Sequence, residues 1–171
     1  MKVNTGTLPG QSVKPPLVPA TSDAFAEAAG ILRTVEKVTI KAGGGTRKHH
    51  VALRELATRI GAPVVLSPGS TGVMMDAHVQ NMHVGGSKGS ISGNHAMEQA
   101  EAVIVIGSRG VCQADCSGAG YPNAKAVINI NGDFDDLDHY ANTVGLPGDI
   151  SAVIGKLLDY LDEGTGAELR T

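Results

Sequence analysis

The sequence predicts an α/β domain with a doubly wound, mostly parallel sheet of about six strands, helices on both faces and a Rossmann-like layout. Short aliphatic runs such as 63–66 and 102–106 are typical of strands buried on both faces. They alternate with segments of helical periodicity such as 48–60. Glycine, at 23 of 171 residues, has about twice its usual ~7% share and clusters where strands would hand over to helices. This alternation indicates βαβ units with right-handed crossovers.

Each element follows from its local pattern. Good N-cap residues at 21–23 open the first helix, Gly61 stops the second, and Asp149 can cap the last, whose apolar residues share one face. The segment 67–89, rich in Gly, Met and His, is expected to be irregular. The predicted strands are 37–42, 63–66, 102–106, 126–130 and 143–146, and the helices begin near residues 22, 48, 90 and 150.

The domain itself is expected to cover residues 21–163. Residues 1–20 carry Pro9, Pro15, Pro16 and Pro19 with little periodic hydrophobicity, which predicts an extended linker or arm. Residues 164–171 are expected to be a frayed tail.

Composition narrows the class of protein. A net charge of −3 without a basic stripe disfavours nucleic-acid binding. No apolar run approaches the ~18–20 residues of a membrane span, and the first residues lack a signal-peptide core. Two cysteines in an ordinary composition favour the reducing cytoplasm over a disulfide scaffold.

The carboxyl ends of the predicted strands are small or polar, which predicts a ligand crevice along that rim of the sheet. After the first strand, residues 43–48 read Gly-Gly-Gly-Thr-Arg-Lys, where backbone amides can hold a phosphate or simply make a tight turn. Lys48 in place of Gly or Ala, and Ser67 in place of an acid, disfavour a dinucleotide fingerprint. The loop 86–90 has the wrong order for a phosphate-binding P-loop, although weaker anion binding stays open.

Other reactive residue types give weaker signals. Cys112 and Cys116 are spaced unsuitably for zinc and too few for an iron–sulfur cluster, so small buried loop residues are favoured over redox or cofactor contacts. The adjacent His49 and His50 cannot share a helix face, which makes a metal clamp unfavourable. An acidic loop after the strand 126–130 is either solvated or a site for ribose or metal; its members are Asp133, Asp135, Asp136 and Asp138.

The order of these segments from 22 to 161 resembles the central domain of thiamine-diphosphate-dependent enzymes, the group that includes acetolactate synthase and trihydroxycyclohexanedione hydrolase. The stretches that carry the resemblance are KAGGG at 41–45, LRELATRIGAPVVLS at 53–67, HVGGSKG at 83–89, QAEAVIVIGSR at 99–109, AKAVININ at 124–131 and Gly148-Asp149.

The resemblance implies a non-catalytic domain of a thiamine-diphosphate-dependent lyase or hydrolase. In that family the cofactor lies between the two other domains, one supplying a Glu and the other a Gly-Asp-Gly…Asn signature for Mg²⁺ and diphosphate. The start of that signature at 132 breaks at Phe134, so no complete active site is expected in this chain. Thiamine diphosphate and Mg²⁺ would belong to the parent enzyme, the partners would be its other domains or subunits, and a homo-oligomer is expected.

The resemblance also implies a nucleotide site, because some relatives bind FAD or an ADP-containing group in this domain. Arg109 would meet phosphate or ribose, and Asp149 adenine or ribose. Asn129 and Asn131 stand where flavin-binding members commonly have acids. An alternative is a free-standing nucleotide- or flavin-binding accessory protein of the same fold, while a sirtuin-like deacylase is disfavoured by chain length. The positions implied for the nucleotide are Gly43, Gly44, Gly45, Thr46, Gly107, Ser108, Arg109, Asn129, Asn131, Asp133, Gly148 and Asp149.

Overall fold

A computed structural model describes residues 20–110, 120–137 and 140–162. The predicted Pro-rich arm and tail fall outside the described residues, apart from Ala20. Cys112, Cys116, Asp138 and His139 also lie outside them.

The described residues form one six-stranded sheet in the order β3-β2-β1-β4-β5-β6, and every pair of neighbours is parallel. This confirms the predicted doubly wound α/β fold. The strands are β1 (Val38–Ala42), β2 (Val64–Leu66), β3 (Asn81–Val84), β4 (Ala102–Ile106), β5 (Ala126–Asn131) and β6 (Thr143–Pro147). The α-helices are α1 (Ser22–Thr34), α2 (His50–Ile60), α3 (Ile91–Gln99) and α4 (Ile150–Asp162).

The strand order reverses between β1 and β4. These strands pair in register over their whole length, from Val38 beside Ala102 to Ala42 beside Ile106. The chain builds outward from β1 to β3 and then returns to add β4, β5 and β6 on the other side. In open parallel sheets such a reversal separates the loops above the carboxyl ends and makes the usual ligand crevice.

The edge strand β3 corrects the prediction that 67–89 is irregular. Its residues, Asn-Met-His-Val, alternate between polar and apolar, but over only four positions, the shortest run that such a pattern can use, and inside a segment rich in Gly and His. The strand is also bulged, since three residue steps from Asn81 to Val84 lie opposite two from Val64 to Leu66. His83 within it has a φ of 60°, and its amide donates to the Asn81 side chain. A bulged edge resists pairing with a further strand.

Helices cover the two faces unequally. On one face α1 and α2 both pack against α4 over an aliphatic core, and Phe25 stacks on Tyr160. On the other face α3 packs on β2 and β3 through small residues, with Gly93, Ala96 and Met97 buried. Within residues 20–110, 120–137 and 140–162, no helix has the length and apolar character that crossing a membrane requires.

The predicted helix boundaries have a physical basis in their caps. The Thr21 hydroxyl accepts the Ala24 amide, and the Ser90 hydroxyl accepts the Gly93 amide. The Asp149 carboxylate accepts the Ala152 amide at the start of α4. Gly61 ends α2 in the left-handed conformation, with a φ of 63°. Each cap satisfies amides or carbonyls that the helix leaves without a partner.

Candidate functional site

The residues implied for a nucleotide come together at the carboxyl ends of β1, β4, β5 and β6, which are consecutive in the sheet. Main-chain hydrogen bonds continue the sheet pairing into this rim. The Gly107 amide donates to the Ile130 carbonyl at 2.8 Å, and the Gly148 amide donates to the Asn131 carbonyl at 3.0 Å. The loops after these strands therefore form one continuous surface.

The glycines after β1 and β4 touch through their main chains. The Gly43 amide donates to the Ile106 carbonyl, and the Gly45 amide donates to the Gly107 carbonyl at 3.0 Å. A Cβ on Gly43 would lie 2.3 Å from the Gly107 carbonyl oxygen, and Gly107 itself has a φ of 56°. Close packing of two loops thus requires glycine here independently of any ligand.

Thr46 and Ser108 are buried behind the glycines and serve the loops themselves. The Thr46 hydroxyl donates to the Gly43 carbonyl at 2.7 Å, which closes the short 3₁₀ helix Gly44–His49. The Ser108 hydroxyl accepts the Gly110 amide at 3.2 Å. These two side chains therefore hold the loops of the rim in shape.

The two asparagines of β5 also hold loops in place. The Asn131 side-chain amide donates to the Ser108 carbonyl at 3.0 Å, and its oxygen accepts the Asp133 amide at 3.2 Å. The Asn129 amide donates to the carbonyls of Asp136 and Leu137, at 2.7 and 3.2 Å. Asn129 is fully buried, and its side-chain oxygen has no hydrogen-bond partner among the described residues. Asn129 therefore positions the acidic loop from beneath.

Charge is divided along the rim. Arg47 and Lys48 follow β1, Arg109 follows β4, and all three are exposed. The carboxylates of Asp133 and Asp149 follow β5 and β6, and both are exposed as well. Each accepts one backbone amide, from Asp135 and Ala152 respectively. The rim is therefore basic above β1 and β4 and acidic above β5 and β6.

The loop 86–90 lies apart from this rim, after the edge strand β3. Its Gly86 amide and carbonyl are both bound by the Asn94 side chain, at 2.8 and 3.0 Å. The Ser90 hydroxyl donates to the Met82 carbonyl and caps α3. These polar groups are used within the protein, whereas Lys88 is exposed.

Lys41 is a buried polar residue that the sequence analysis did not single out. It is 1% exposed within β1, and its ammonium donates to the Leu66 carbonyl at 3.2 Å. The same carbonyl accepts the Gly85 amide at 3.1 Å. The available signal was a lysine inside the otherwise apolar run of a central strand, because buried ammonium groups need hydrogen-bonding partners. Lys41 thereby links β1 to the end of β2, at the carbonyl that also binds the loop after β3.

The described part of the chain contains no cluster of His, Cys, Asp and Glu side chains that could bind a metal ion. Among residues 20–110, 120–137 and 140–162, no three His, Cys, Asp or Glu side chains form a group that could hold an ion. His49 instead makes a hydrogen bond through Nδ1 to the Ser151 hydroxyl, at 2.8 Å, which ties the loop after β1 to α4.

Comparison with known proteins identifies the family. Residues 25–157 match the sequence model of the thiamine pyrophosphate enzyme central domain. The chain belongs to this family. It is 30% identical over 141 residues to an acetolactate synthase of Mycobacterium bovis, an alignment that covers 79% of the chain and 22% of that protein.

Other relatives show the same partial coverage. Acetolactate synthase isozyme 1 large subunit of Escherichia coli is 24% identical over 169 residues, which is 95% of the chain and 29% of that subunit. An uncharacterized 42.6 kDa protein of Pseudomonas amyloderamosa is 29% identical over 156 residues, covering 90% of the chain and 38% of that protein. The chain is therefore a central domain of this family, related to acetolactate synthase, and it spans well under half of these relatives.

Proposed function

We propose that this domain is the non-catalytic central part of a thiamine-diphosphate-dependent lyase or hydrolase. It spaces and supports the catalytic domains, and it carries an adenine nucleotide, FAD or ADP, at the carboxyl rim of its sheet. The parent protein acts in the cytoplasm as a homo-oligomer.

The division of charge along the rim is the observation that carries the nucleotide proposal. A diphosphate is an anion, and the cations of Arg47, Lys48 and Arg109 above β1 and β4 suit it. Ribose hydroxyls and the adenine amino group are hydrogen-bond donors, and the carboxylates of Asp133 and Asp149 can accept them. The nucleotide would therefore lie across the strand reversal, with its phosphates toward β1 and its nucleoside toward β6.

The small residues of the rim fit the same ligand. Gly44 is exposed, and its main chain lies beside Gly69 rather than beneath a side chain. Gly132 is also exposed, and the nearest atom to a Cβ added there would be the Gly148 carbonyl oxygen, at 3.6 Å. Main chain that is open to solvent at these points can approach a phosphate or sugar closely.

The catalytic role is assigned to the remainder of the longer protein. A thiamine-diphosphate-dependent lyase or hydrolase would need thiamine diphosphate, an activating Glu and a Mg²⁺ site, and we assign these to the other domains. This domain sets the spacing and orientation of the catalytic domains and binds the nucleotide.

Calorimetric titration of the full chain with ADP and with FAD tests the nucleotide proposal. We expect saturable binding that Arg109→Gln weakens about tenfold, the loss of one charge-assisted hydrogen bond. Lys88→Gln is the matched control, since it removes an equally positive side chain from the loop after β3. Equal effects of the two substitutions, or no binding of either nucleotide, would contradict the proposal.

A further inference from the structure

A groove lies at the opposite end of the sheet from the nucleotide rim. It has a volume of about 570 Å³ and runs between α3 and the amino ends of β1 and β2. Sites for small organic molecules commonly have volumes of roughly 300–1,000 Å³. The groove is therefore large enough for such a molecule, and it is separate from the residues implied for the nucleotide.

The groove lies beside α3, where this helix packs on β2 and β3, and part of its lining is apolar. Only small or slender residues of α3 reach the sheet, so the helix leaves open space beside it. Ser92, His95, Ala96 and Gln99 form a stripe at helical spacing that lines one wall. The apolar side chains of the lining are those of Pro63, Met82 and Ala96. Val38 also borders the groove, but its side chain belongs to the core on the opposite face of the sheet.

Lys37 and Gln99 bring hydrogen-bond donors to the groove. The Lys37 ammonium donates to the Gln99 side-chain oxygen at 3.1 Å, and both residues line the groove. This bond uses one of the three ammonium hydrogens and neither hydrogen of the Gln99 amide group. The His95 imidazole lies one turn before Gln99 on the same wall. Glu36 supplies the one carboxylate of the lining. The set suits a ligand group that accepts hydrogen bonds and bears negative charge.

The backbone of Glu36 and Lys37 is held in place by hydrogen bonds within the protein itself. The Glu101 carboxylate accepts the backbone amides of Glu36 and Lys37, at 2.8 and 3.3 Å. The Thr39 hydroxyl donates to the Ala96 carbonyl at 2.8 Å and ties β1 to α3. A preformed wall reduces the entropy lost when a small molecule binds.

We propose that this groove binds a small monocarboxylate with a compact apolar body. The apolar part lies against Met82, Pro63 and Ala96, and the carboxylate meets Lys37 and the Gln99 amide. This inference is independent of the nucleotide proposal, since it concerns the amino end of the sheet and none of the rim residues.

Nuclear magnetic resonance titration of the full chain with 4-methylpentanoate tests the proposal. We expect saturable shifts of the backbone amides of 36–39 and 92–99. The matched ligand 4-methylpentanol has the same apolar body without the charge, and we expect it to bind about threefold or more weakly. No saturable shift within the probe's solubility range, or shifts centred on 43–46 and 107–109, would overturn the proposal.

Two neighbouring substitutions give a test of opposite signs. Lys37→Gln should weaken 4-methylpentanoate binding about threefold to fivefold, and Glu36→Gln should strengthen it by a similar factor. The alcohol should bind both variants as it binds the unaltered chain, and Lys88→Gln should change neither ligand. Unchanged spectra outside the groove confirm that the variants fold. Equal carboxylate affinity across all three variants would refute the proposed contact.

Discussion

The carbonyl oxygen of Gly107 occupies the space that a side chain at Gly43 would need. A Cβ built at Gly43 would lie 2.3 Å from that oxygen and 2.5 Å from the Cα of Ser108. Both obstacles are main-chain atoms of a loop that continues a central strand. The two strands on either side of the topological reversal are therefore joined above the sheet by direct backbone contact.

This contact predicts that Gly43→Ala destabilises the domain by about 3 kcal/mol, at the upper end of the usual cost of overpacking. Main chain that is bonded into β1 and β4 cannot move aside as a flexible side chain could. Urea unfolding followed by circular dichroism measures the change in the free energy of unfolding. Loss of a cooperative transition would indicate a still larger effect.

Gly155→Ala supplies the matched control. Gly155 lies inside α4, and a Cβ there would meet nothing within 4 Å. Alanine in a helix interior is favoured over glycine by about 0.5–1 kcal/mol, so this variant should be more stable than the unaltered chain. Equal behaviour of the two variants would show that the Gly43–Gly107 contact is looser than the structure indicates.

The Glu101 carboxylate gives the domain a pH-dependent stabilisation. Its pKa lies below the ordinary value of 4.5, chiefly because the backbone amide of Glu36 donates to it, followed by the amide of Lys37 and the Lys125 ammonium. A depressed pKa in the folded state means that folding favours the ionised form. The stabilisation is therefore present above pH 4.5 and is lost as the pH falls through the folded-state pKa.

We expect Glu101→Gln to lower the free energy of unfolding most at neutral pH and progressively less below pH 4.5. Unfolding curves at several pH values measure this difference. Lys125→Gln should retain most of the pH dependence, because the backbone amides cause more of the shift than Lys125 does. If Lys125→Gln abolished it, the ion pair rather than the backbone would be its source.

Strands β2 and β4 could be predicted because their residues are aliphatic on both faces. Runs such as Ala102–Ile106 admit one interpretation, since a parallel sheet covered on both sides needs such a pattern. The edge strand Asn81–Val84 could not be predicted in this way. Its side chains are mixed, and its bulge at His83 depends on pairing with β2, which is a tertiary interaction.

The rim could be located from the sequence, but the use of its side chains could not. Parallel strands end at one edge, so Gly43, Gly107 and Gly148 had to meet there. No pattern in the sequence indicates that the side-chain amides of Asn129 and Asn131 hold neighbouring loops, because their partners are carbonyls of other segments. Lys41 stood visibly within a predicted strand, but its partner, the Leu66 carbonyl, depends on the pairing of β1 with β2.

We expect the isolated chain to show no tight, Mg²⁺-dependent uptake of thiamine diphosphate. Mg²⁺ held by protein needs well-placed oxygen ligands, and among the described residues no three His, Cys, Asp or Glu side chains form a group that could hold an ion. Calorimetric titration with thiamine diphosphate, with and without Mg²⁺, measures this. Tight binding that requires the metal would show that the cofactor site lies within this domain.

Replacing Asn131 by aspartate should destabilise this domain. Asn131→Asp removes the donor to the Ser108 carbonyl and sets a buried carboxylate oxygen against it, at a cost of about 2–3 kcal/mol. Asn123→Asp is the control, because the Asn123 amide also donates to a carbonyl, that of Glu98, but in an exposed position. Its cost should stay below about 1 kcal/mol.

Acid should reduce the deficit of Asn131→Asp. A protonated carboxyl group can donate to the Ser108 carbonyl, so burial against that oxygen raises the pKa of the introduced group above its usual value. The free energy of unfolding should therefore approach that of the unaltered chain as the pH falls. A deficit that stays constant with pH, or one no larger than that of Asn123→Asp, would show that the Asn131 amide does not join the loops after β4 and β5.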